Sequence, residues 1–135
     1  MKRLLLCMLL IAVAVGVSAQ KKTGPVMAFD RTSHNFGDVP RKGGDLVKEF
    51  HFINEGDSPL VIKKITKSCS CTTVSYSRKP VMPGKSGVIT IKYEPHKVEE
   101  GVFNRVIQIY TNASNKARIL AIQGNSIEKG KRKKK

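Results

Sequence analysis

The chain has 135 residues, enough for one domain, and its 25 lysine and arginine residues against 10 aspartate and glutamate residues give a formal net charge of +15. A chain of this length buries enough surface for one hydrophobic core, so it does not need a metal or several disulfides to fold. The positive charge is concentrated at the C-terminus, and the rest of the chain is basic but unexceptional.

Residues 1–19 have the pattern of a secretory signal peptide. Lys2 and Arg3 precede an apolar run over residues 4–15, which is shorter than the roughly 20 residues of a transmembrane helix. The small residues that end this region, at positions 17–19, are typical of a signal peptidase cleavage site. We therefore expect cleavage before Gln20 and a periplasmic or secreted mature chain with no transmembrane span. An uncleaved membrane anchor is the alternative, and the short run disfavours it.

A polar linker over residues 20–26 precedes a run of short strand-like segments over residues 27–125. Apolar and polar residues alternate within these segments, turn signals separate them every 8 to 12 residues, and no window keeps a helical period over three turns. The sequence therefore predicts an all-β fold, an antiparallel β-sandwich of about seven strands. The predicted strands cover residues 29–39, 46–54, 60–66, 72–77, 88–93, 102–111 and 117–123.

Two glycines predict local features of the backbone. Gly37 lies in the middle of the first predicted edge strand and allows a bulge or a kink there. Pro83 and Gly84 suit the central pair of a type II turn, because proline pre-sets φ and glycine accepts the positive φ that follows. Lys48 and Arg105 each interrupt an apolar row on a predicted inward face.

Several short motifs in a fixed order identify a family resemblance. The motifs are Phe36-Gly37-Asp38-Val39, Phe50-His51-Phe52-Ile53-Asn54-Glu55-Gly56, Pro59-Leu60-Val61-Ile62, Ser68-Cys69-Ser70-Cys71-Thr72, Pro83-Gly84-Lys85-Ser86-Gly87, Gly101-Val102-Phe103 and Thr111-Asn112. Over roughly residues 29–125 the chain resembles a large bacterial family of exported domains of unknown function, number fifteen seventy-three, related to sperm-protein and hydin-type modules. The resemblance implies an immunoglobulin-like fold and a secreted or periplasmic location, and it implies no established activity.

Cys69 and Cys71 are the cysteines expected in the mature chain, because cleavage removes Cys7. On an extended strand the Cα atoms of residues i and i+2 lie about 6.6 Å apart, too far for the Cβ atoms of a disulfide to meet. A disulfide therefore requires a sharp bend at Ser70. The family usually has glycine at this position, and serine makes the bend costlier because positive φ is uncommon for residues with a Cβ.

Three roles for the cysteine pair follow from its spacing. The pair can pin a loop at the end of the sandwich, with or without a disulfide, and we favour this structural role. A disulfide that closes so small a loop would be easily reduced, which makes a redox-labile pair the second hypothesis. The third is a thiolate site for Zn²⁺ or Cu(I), but the remaining candidate ligands are not spaced as a metal motif. These ligands are His34, His51, His96, Met27 and Met82.

Residues 126–135 are predicted to be a basic, disordered tail, because densely packed like charges repel one another and cannot be buried. In an exported protein such a tail would meet anionic lipid head groups or acidic polysaccharide rather than nucleic acid, at about 1 kcal/mol per charge. A solubilising tail without a ligand is the alternative. The six cations are Lys129, Lys131, Arg132, Lys133, Lys134 and Lys135.

The sequence contains no nucleophile elbow, phosphate-binding glycine loop or paired-histidine metal motif, so we predict no catalytic residues and no cofactor. The function predicted is a non-catalytic binding or structural module of the cell envelope, whose partner is another envelope protein or an anionic envelope surface. Such a sandwich can bind partners by pairing an exposed edge strand or through its end loops. The candidate contacts are the loops at residues 66–73 and 80–87, together with the cationic tail. The alternative is a thiol redox or metal-handling protein that uses Cys69 and Cys71.

Overall fold

The computed structural model describes residues 23–128, which form two four-stranded β-sheets around one core. The predicted signal peptide, the start of the linker and the charged part of the tail lie outside the described residues. Eight strands are present: β1 (Met27–Phe29), β2 (Ser33–Pro40), β3 (Leu46–Asn54), β4 (Ile62–Lys67), β5 (Thr72–Tyr76), β6 (Ser86–Tyr93), β7 (Gly101–Thr111) and β8 (Ser114–Ile127).

The first sheet has the strand order β1-β3-β6-β5, and the second has the order β2-β8-β7-β4. All neighbours are antiparallel except β2 and β8, which are parallel. A 3-10 turn, Pro95–Lys97, connects β6 to β7. No helix within residues 23–128 is long and apolar enough to cross a membrane.

The predicted all-β sandwich is confirmed, with eight strands and one parallel pair. The additional strand arises where a single broken edge strand was expected, because the chain changes sheets after Phe29. Met27 pairs with Asn54 of β3, whereas Ser33 pairs with Ala121 of β8. The two halves of this segment therefore form an edge strand of each sheet: β1 pairs with β3, and β2 runs parallel to β8.

The predicted irregularity at Gly37 is confirmed. The register between β2 and β8 shifts between Asn35 and Asp38, and Gly37 has a φ of 69°. The side chain of Asn35 accepts a hydrogen bond from the amide of Gly37 at 2.8 Å. A glycine is suited to this position because residues with a Cβ rarely adopt positive φ.

Inward-facing side chains of both sheets form the core, in agreement with the predicted alternation. The ring of Tyr93 on β6 stacks on Phe103 of β7, with ring centroids 4.3 Å apart. Arg105 interrupts its face as predicted, and its Nε is buried without a hydrogen-bond partner among the described residues. The fully buried aliphatic residues are Leu60, Ile89, Ile91, Ile107, Ile109, Leu120 and Ile122.

A buried asparagine at the end of β3 connects three loops to the sandwich. The Oδ1 of Asn54 accepts hydrogen bonds from the amides of Val26 and Gly56 at 3.1 and 3.0 Å. Its Nδ2 donates to the carbonyl oxygens of Ser58 and Val81 at 2.7 and 2.9 Å. All four hydrogen-bonding valences of this side chain are therefore satisfied, as a fully buried amide requires.

Candidate functional site

The cysteine turn, residues 68–71, lies between β4 and β5, at the point where the chain passes from the second sheet to the first. Cys69 and Cys71 are joined by a disulfide, and their Cα atoms are 5.1 Å apart. This separation is shorter than that of an extended strand and lies in the usual range for disulfides. The bend that the sequence requires for a disulfide is therefore present.

The bend does not use the positive φ that we expected to penalise Ser70. No residue other than glycine has positive φ within residues 23–128. Hydrogen bonds close the turn instead: the amide of Cys71 donates to the Sγ of Cys69 at 3.0 Å, and the hydroxyl of Thr72 donates to the carbonyl oxygen of Cys69 at 2.9 Å. Serine is therefore accommodated where the family usually has glycine.

The cysteine turn is attached to both sheets. The amide of Ser68 donates to the carbonyl oxygen of Val106 on β7 at 3.1 Å, and the Ser68 hydroxyl accepts from the amide of Val106. On the other side, the amide of Glu94 donates to the carbonyl oxygen of Cys71 at 2.9 Å. Cys71 is only 1% exposed, whereas Cys69 is half-buried. This geometry suits a residue pair that pins the crossover.

A thiolate metal site requires two free sulfurs, whereas the two sulfurs are bonded to each other here. No group of three or more histidine, cysteine, aspartate or glutamate residues within residues 23–128 is placed to hold a metal ion. The candidate histidines His34, His51 and His96 lie on β2, on β3 and in the 3-10 turn. Burial, together with the charges of Lys48 and Arg31, lowers the pKa of His34.

The second candidate loop, residues 80–87, contains the predicted type II turn. Gly84 has a φ of 76°, and the amide of Lys85 donates to the carbonyl oxygen of Met82 at 3.0 Å, so this prediction is confirmed. The two candidate loops do not meet. The cysteine turn leads into the end of β5 that pairs with Tyr93, whereas residues 80–87 lead into the opposite end of β6, which begins at Ser86. Strand β5 connects the two ends.

Each sheet has two edge strands, and three of the four carry features that protect an edge from pairing with another chain. Strand β1 has only three residues, and β2 contains the bulge and ends at Pro40. Strand β4 has a register shift and exposes Lys63 and Lys64. Strand β5, in contrast, pairs regularly with β6 over its whole length and contains no proline, no charge and no bulge.

The backbone of β5 has unpaired groups on its free side. The bond from Glu94 to Cys71 sets the phase of the ladder between β5 and β6. Bonded and non-bonded residues alternate along an antiparallel pair, so Val74 and Tyr76 direct their N–H and C=O groups away from β6. No hydrogen bond to these groups is found within the described part of the chain. Strand β5 is therefore an open edge.

Positive charge flanks this open edge at both ends. Residues 58–93 contain seven lysine and arginine residues and no aspartate or glutamate. At one end of β5, the ammonium of Lys67 donates to the carbonyl oxygen of Thr72, and at the other end Arg78 and Lys79 are exposed. The seven cations are Lys63, Lys64, Lys67, Arg78, Lys79, Lys85 and Lys92.

Lys92 pairs with Asp45 at 3.6 Å, and the other six cations have no carboxylate within salt-bridge distance among residues 23–128. The sequence indicated that an exposed edge strand can bind a partner, but it placed the candidate contacts in the two loops and the tail and did not single out β5. The signal that could have found it is the absence of acidic residues from position 58 to position 93.

Comparison with known proteins adds a family match and several fold matches. A model of the family described as a protein of unknown function (DUF1573) matches residues 27–126. A protein of unknown function from Porphyromonas gingivalis W83 matches with a TM-score of 0.68 at 19% identity, over 80% of this chain and 50% of that one. The ASH or PapD-like domain 7 of human CEP192 matches with a TM-score of 0.63 at 12% identity, over 87% of this chain and 96% of that domain.

The VesB protease of Vibrio cholerae also matches, with a TM-score of 0.55 at 15% identity over 76% of this chain. This chain spans half of the Porphyromonas gingivalis protein and 32% of the protease. A search of curated proteins finds no match. At these identities the structural matches show the fold alone, which is the immunoglobulin-like sandwich of PapD-like domains.

Proposed function

Since this chain belongs to the DUF1573 family of proteins of unknown function, we propose from its own geometry that it is a non-catalytic binding module of the cell envelope. The family resemblance that the motifs indicated is thereby confirmed. We propose further that the chain is exported, begins at Gln20 when mature, and binds another envelope protein. The apolar run with its small-residue end supports export.

The open edge of β5 is the observation that carries the proposed function. A sheet edge with unpaired N–H and C=O groups binds an extended segment of another protein by adding it as a further strand. Strand β5 offers such groups at Val74 and Tyr76, whereas the other three edges are short, interrupted or charged. The cysteine turn holds one end of this strand against both sheets. The edge is thus a rigid template for a partner.

Site-specific photocrosslinking in cells tests this function. A benzophenone amino acid replaces Ser75, which is exposed on β5, or Asn104, which is exposed on β7 of the other sheet. We expect a discrete crosslinked envelope protein from position 75 and none from position 104. Equal products from both positions, or no product from position 75, would contradict binding at the β5 edge. Recovery of the protein from the cytoplasm would contradict export.

Thiol exchange is the second candidate function, and the half-buried disulfide favours it. A thiolate of a partner dithiol would attack the Sγ of Cys69 and break the Cys69–Cys71 bond. Cys71 would leave as a thiolate, and Cys69 would form a mixed disulfide with the partner. The second partner thiol would then resolve that disulfide. The partner would leave oxidised, and its two electrons and two protons would remain on Cys69 and Cys71 as thiols.

The double variant Cys69→Ser/Cys71→Ser separates the two functions. A binding module should keep its crosslink from position 75 and lose at most about 2 kcal/mol of unfolding free energy, because the closed loop is very short. Urea unfolding and the same crosslinking assay measure the two quantities. Loss of the crosslink in a folded double variant would favour thiol exchange. A mass gain of two hydrogens by the unsubstituted protein during partner turnover would favour it as well.

A further inference from the structure

Resting on the proposed function, we infer that the partner segment is acidic and extended, and that it adds as a fifth strand to the first sheet beside β5. The open edge of β5 determines where the partner segment binds, and the positive charge at its ends determines that the segment is acidic. The partner backbone would bond to Val74 and Tyr76. Its carboxylates would lie near Lys67 at one end and near Arg78 and Lys79 at the other.

The placement of charge argues for an acidic segment. All ten acidic residues of the chain lie outside positions 58–93, so a carboxylate brought to this edge meets cations and few competing anions. Like-charged partners are repelled by the same arrangement, and electrostatic complementarity of this kind selects partners and accelerates their encounter. A neutral strand could bond to the backbone but would gain nothing from the flanking cations.

The same charges disfavour two other occupants of the edge. The chain's own C-terminal segment carries six lysine and arginine residues within positions 129–135, so it would bring positive charge to a positive edge. A second copy of the chain, paired β5 to β5, would place Arg78 and Lys79 beside the same cationic segment of its neighbour. An acidic segment of a different protein is therefore the favoured occupant.

The side chains of β5 also indicate the pattern of the partner. Val74 and Tyr76 are half-buried and pack against the core, whereas Thr73 and Ser75 face solvent. Successive residues of an added strand alternate between the two faces of the sheet in the same way. A segment with apolar residues at every second position and glutamate or aspartate between them therefore fits the edge.

Synthetic peptides test the inference with the mature chain. One fluorescent decapeptide alternates valine and glutamate, a second alternates valine and lysine, and a third repeats the first with N-methylation of every second amide. We expect anisotropy to report binding of the first peptide alone. We also expect its affinity to fall at least about tenfold as salt rises, because salt screens exposed charge pairs.

Two variants separate the backbone and charge contributions. Val74→Pro removes one outward N–H without touching the bonds to β6, and Arg78→Glu/Lys79→Glu reverses the charge at one end of β5. Each should weaken peptide binding about tenfold. The matched control, Lys42→Glu/Lys116→Glu, reverses two exposed cations outside positions 58–93 and should bind as the wild type does. Melting temperatures confirm that each variant is folded.

The outcomes distinguish this inference from the function on which it rests. Equal binding of the glutamate and lysine peptides would overturn the preference for an acidic segment, while strand addition at the β5 edge would still stand. Binding of the N-methylated peptide as tightly as its parent would show simple polyanion attraction and overturn strand addition. Failure of all three peptides, with a crosslink still formed from position 75, would refute the acidic strand alone. Concentration-dependent dimerisation that competes with the peptide would assign the edge to a second copy.

Discussion

Among single residues, Asn54 makes the most consequential polar contacts in the fold. It is fully buried and bonds to backbone groups of four residues before and after β3. Alternation predicts that position 54 faces inward, but only the packed structure shows an amide that satisfies four loop groups. A buried polar residue of this kind stabilises one arrangement of the loops, because every other arrangement leaves its partners unpaired.

Asn54→Ala should lower the unfolding free energy by about 3–5 kcal/mol, because it leaves buried N–H and C=O groups without partners. Asn112→Ala is the matched control: that side chain also bonds to backbone groups, of Pro59 and Val61, but it is exposed and water can replace it. We expect the control to cost less than about 1 kcal/mol. Urea unfolding measures both, and equal losses would contradict the role of burial.

His34 should make stability depend on pH. Burial and the charges of Lys48 and Arg31 lower the pKa of His34 below its ordinary 6.5 in the folded protein, so the unfolded chain binds a proton there more readily. Stability should therefore fall as pH drops from 6.5 through the lowered pKa and stay reduced below it. In urea unfolding, His34→Gln should flatten this dependence and Lys48→Met should reduce it. An unchanged dependence in His34→Gln would contradict the assignment.

Among the structural elements, the strands were largely predictable and their partners were not. Strand β3 has the predicted bounds, and β6 and β7 begin within two residues of theirs, because alternation records which side faces the core. The last strand continues to Ile127, four residues beyond its predicted end and into the predicted tail. The added residues pair with β7 on one side and with β2 on the other, and the periodicity of β8 does not identify either neighbour.

The type II turn between Val81 and β6 offers a test at this scale. Gly84→Ala should cost about 1 kcal/mol of unfolding free energy, because φ is positive and no atom lies near the added Cβ. Gly84→Asn should cost less, since asparagine tolerates this region better. Gly56→Ala provides the contrast: its Cβ would overlap the carbonyl oxygen of Gly24, so urea unfolding should show a larger loss. A smaller loss at Gly56 than at Gly84 would contradict this.

For the whole molecule, the dominant property is an uneven distribution of charge. The C-terminal cations predict attraction to anionic surfaces, and the acid-free segment around β5 predicts attraction to acidic protein. The two sources can be separated because they lie in different parts of the chain. Glu128 accepts a hydrogen bond from Arg41 at 3.3 Å and belongs with the fold, so a truncation should begin after it.

Removal of residues 129–135 should leave the melting temperature unchanged and make the protein elute from an anionic column at lower salt. The physical reason is that six cations are removed while all the described residues, which form the core, are kept. A salt gradient and a thermal melt measure the two quantities. Elution at the same salt as the full chain would show that the folded part alone supplies the attraction.

The sequence by itself determined which residues face the core, where the chain turns, and that Cys69 and Cys71 can bridge only across a bend. These are local properties, since they follow from side-chain periodicity and from the φ preferences of proline and glycine. Only the tertiary structure decided that the first strand divides between two sheets, that β2 runs parallel to β8, and that β5 remains an open edge. Strand pairing depends on contacts between distant parts of the chain. Alternation with a period of two shows which side chains face the core, but it does not show which strand lies alongside.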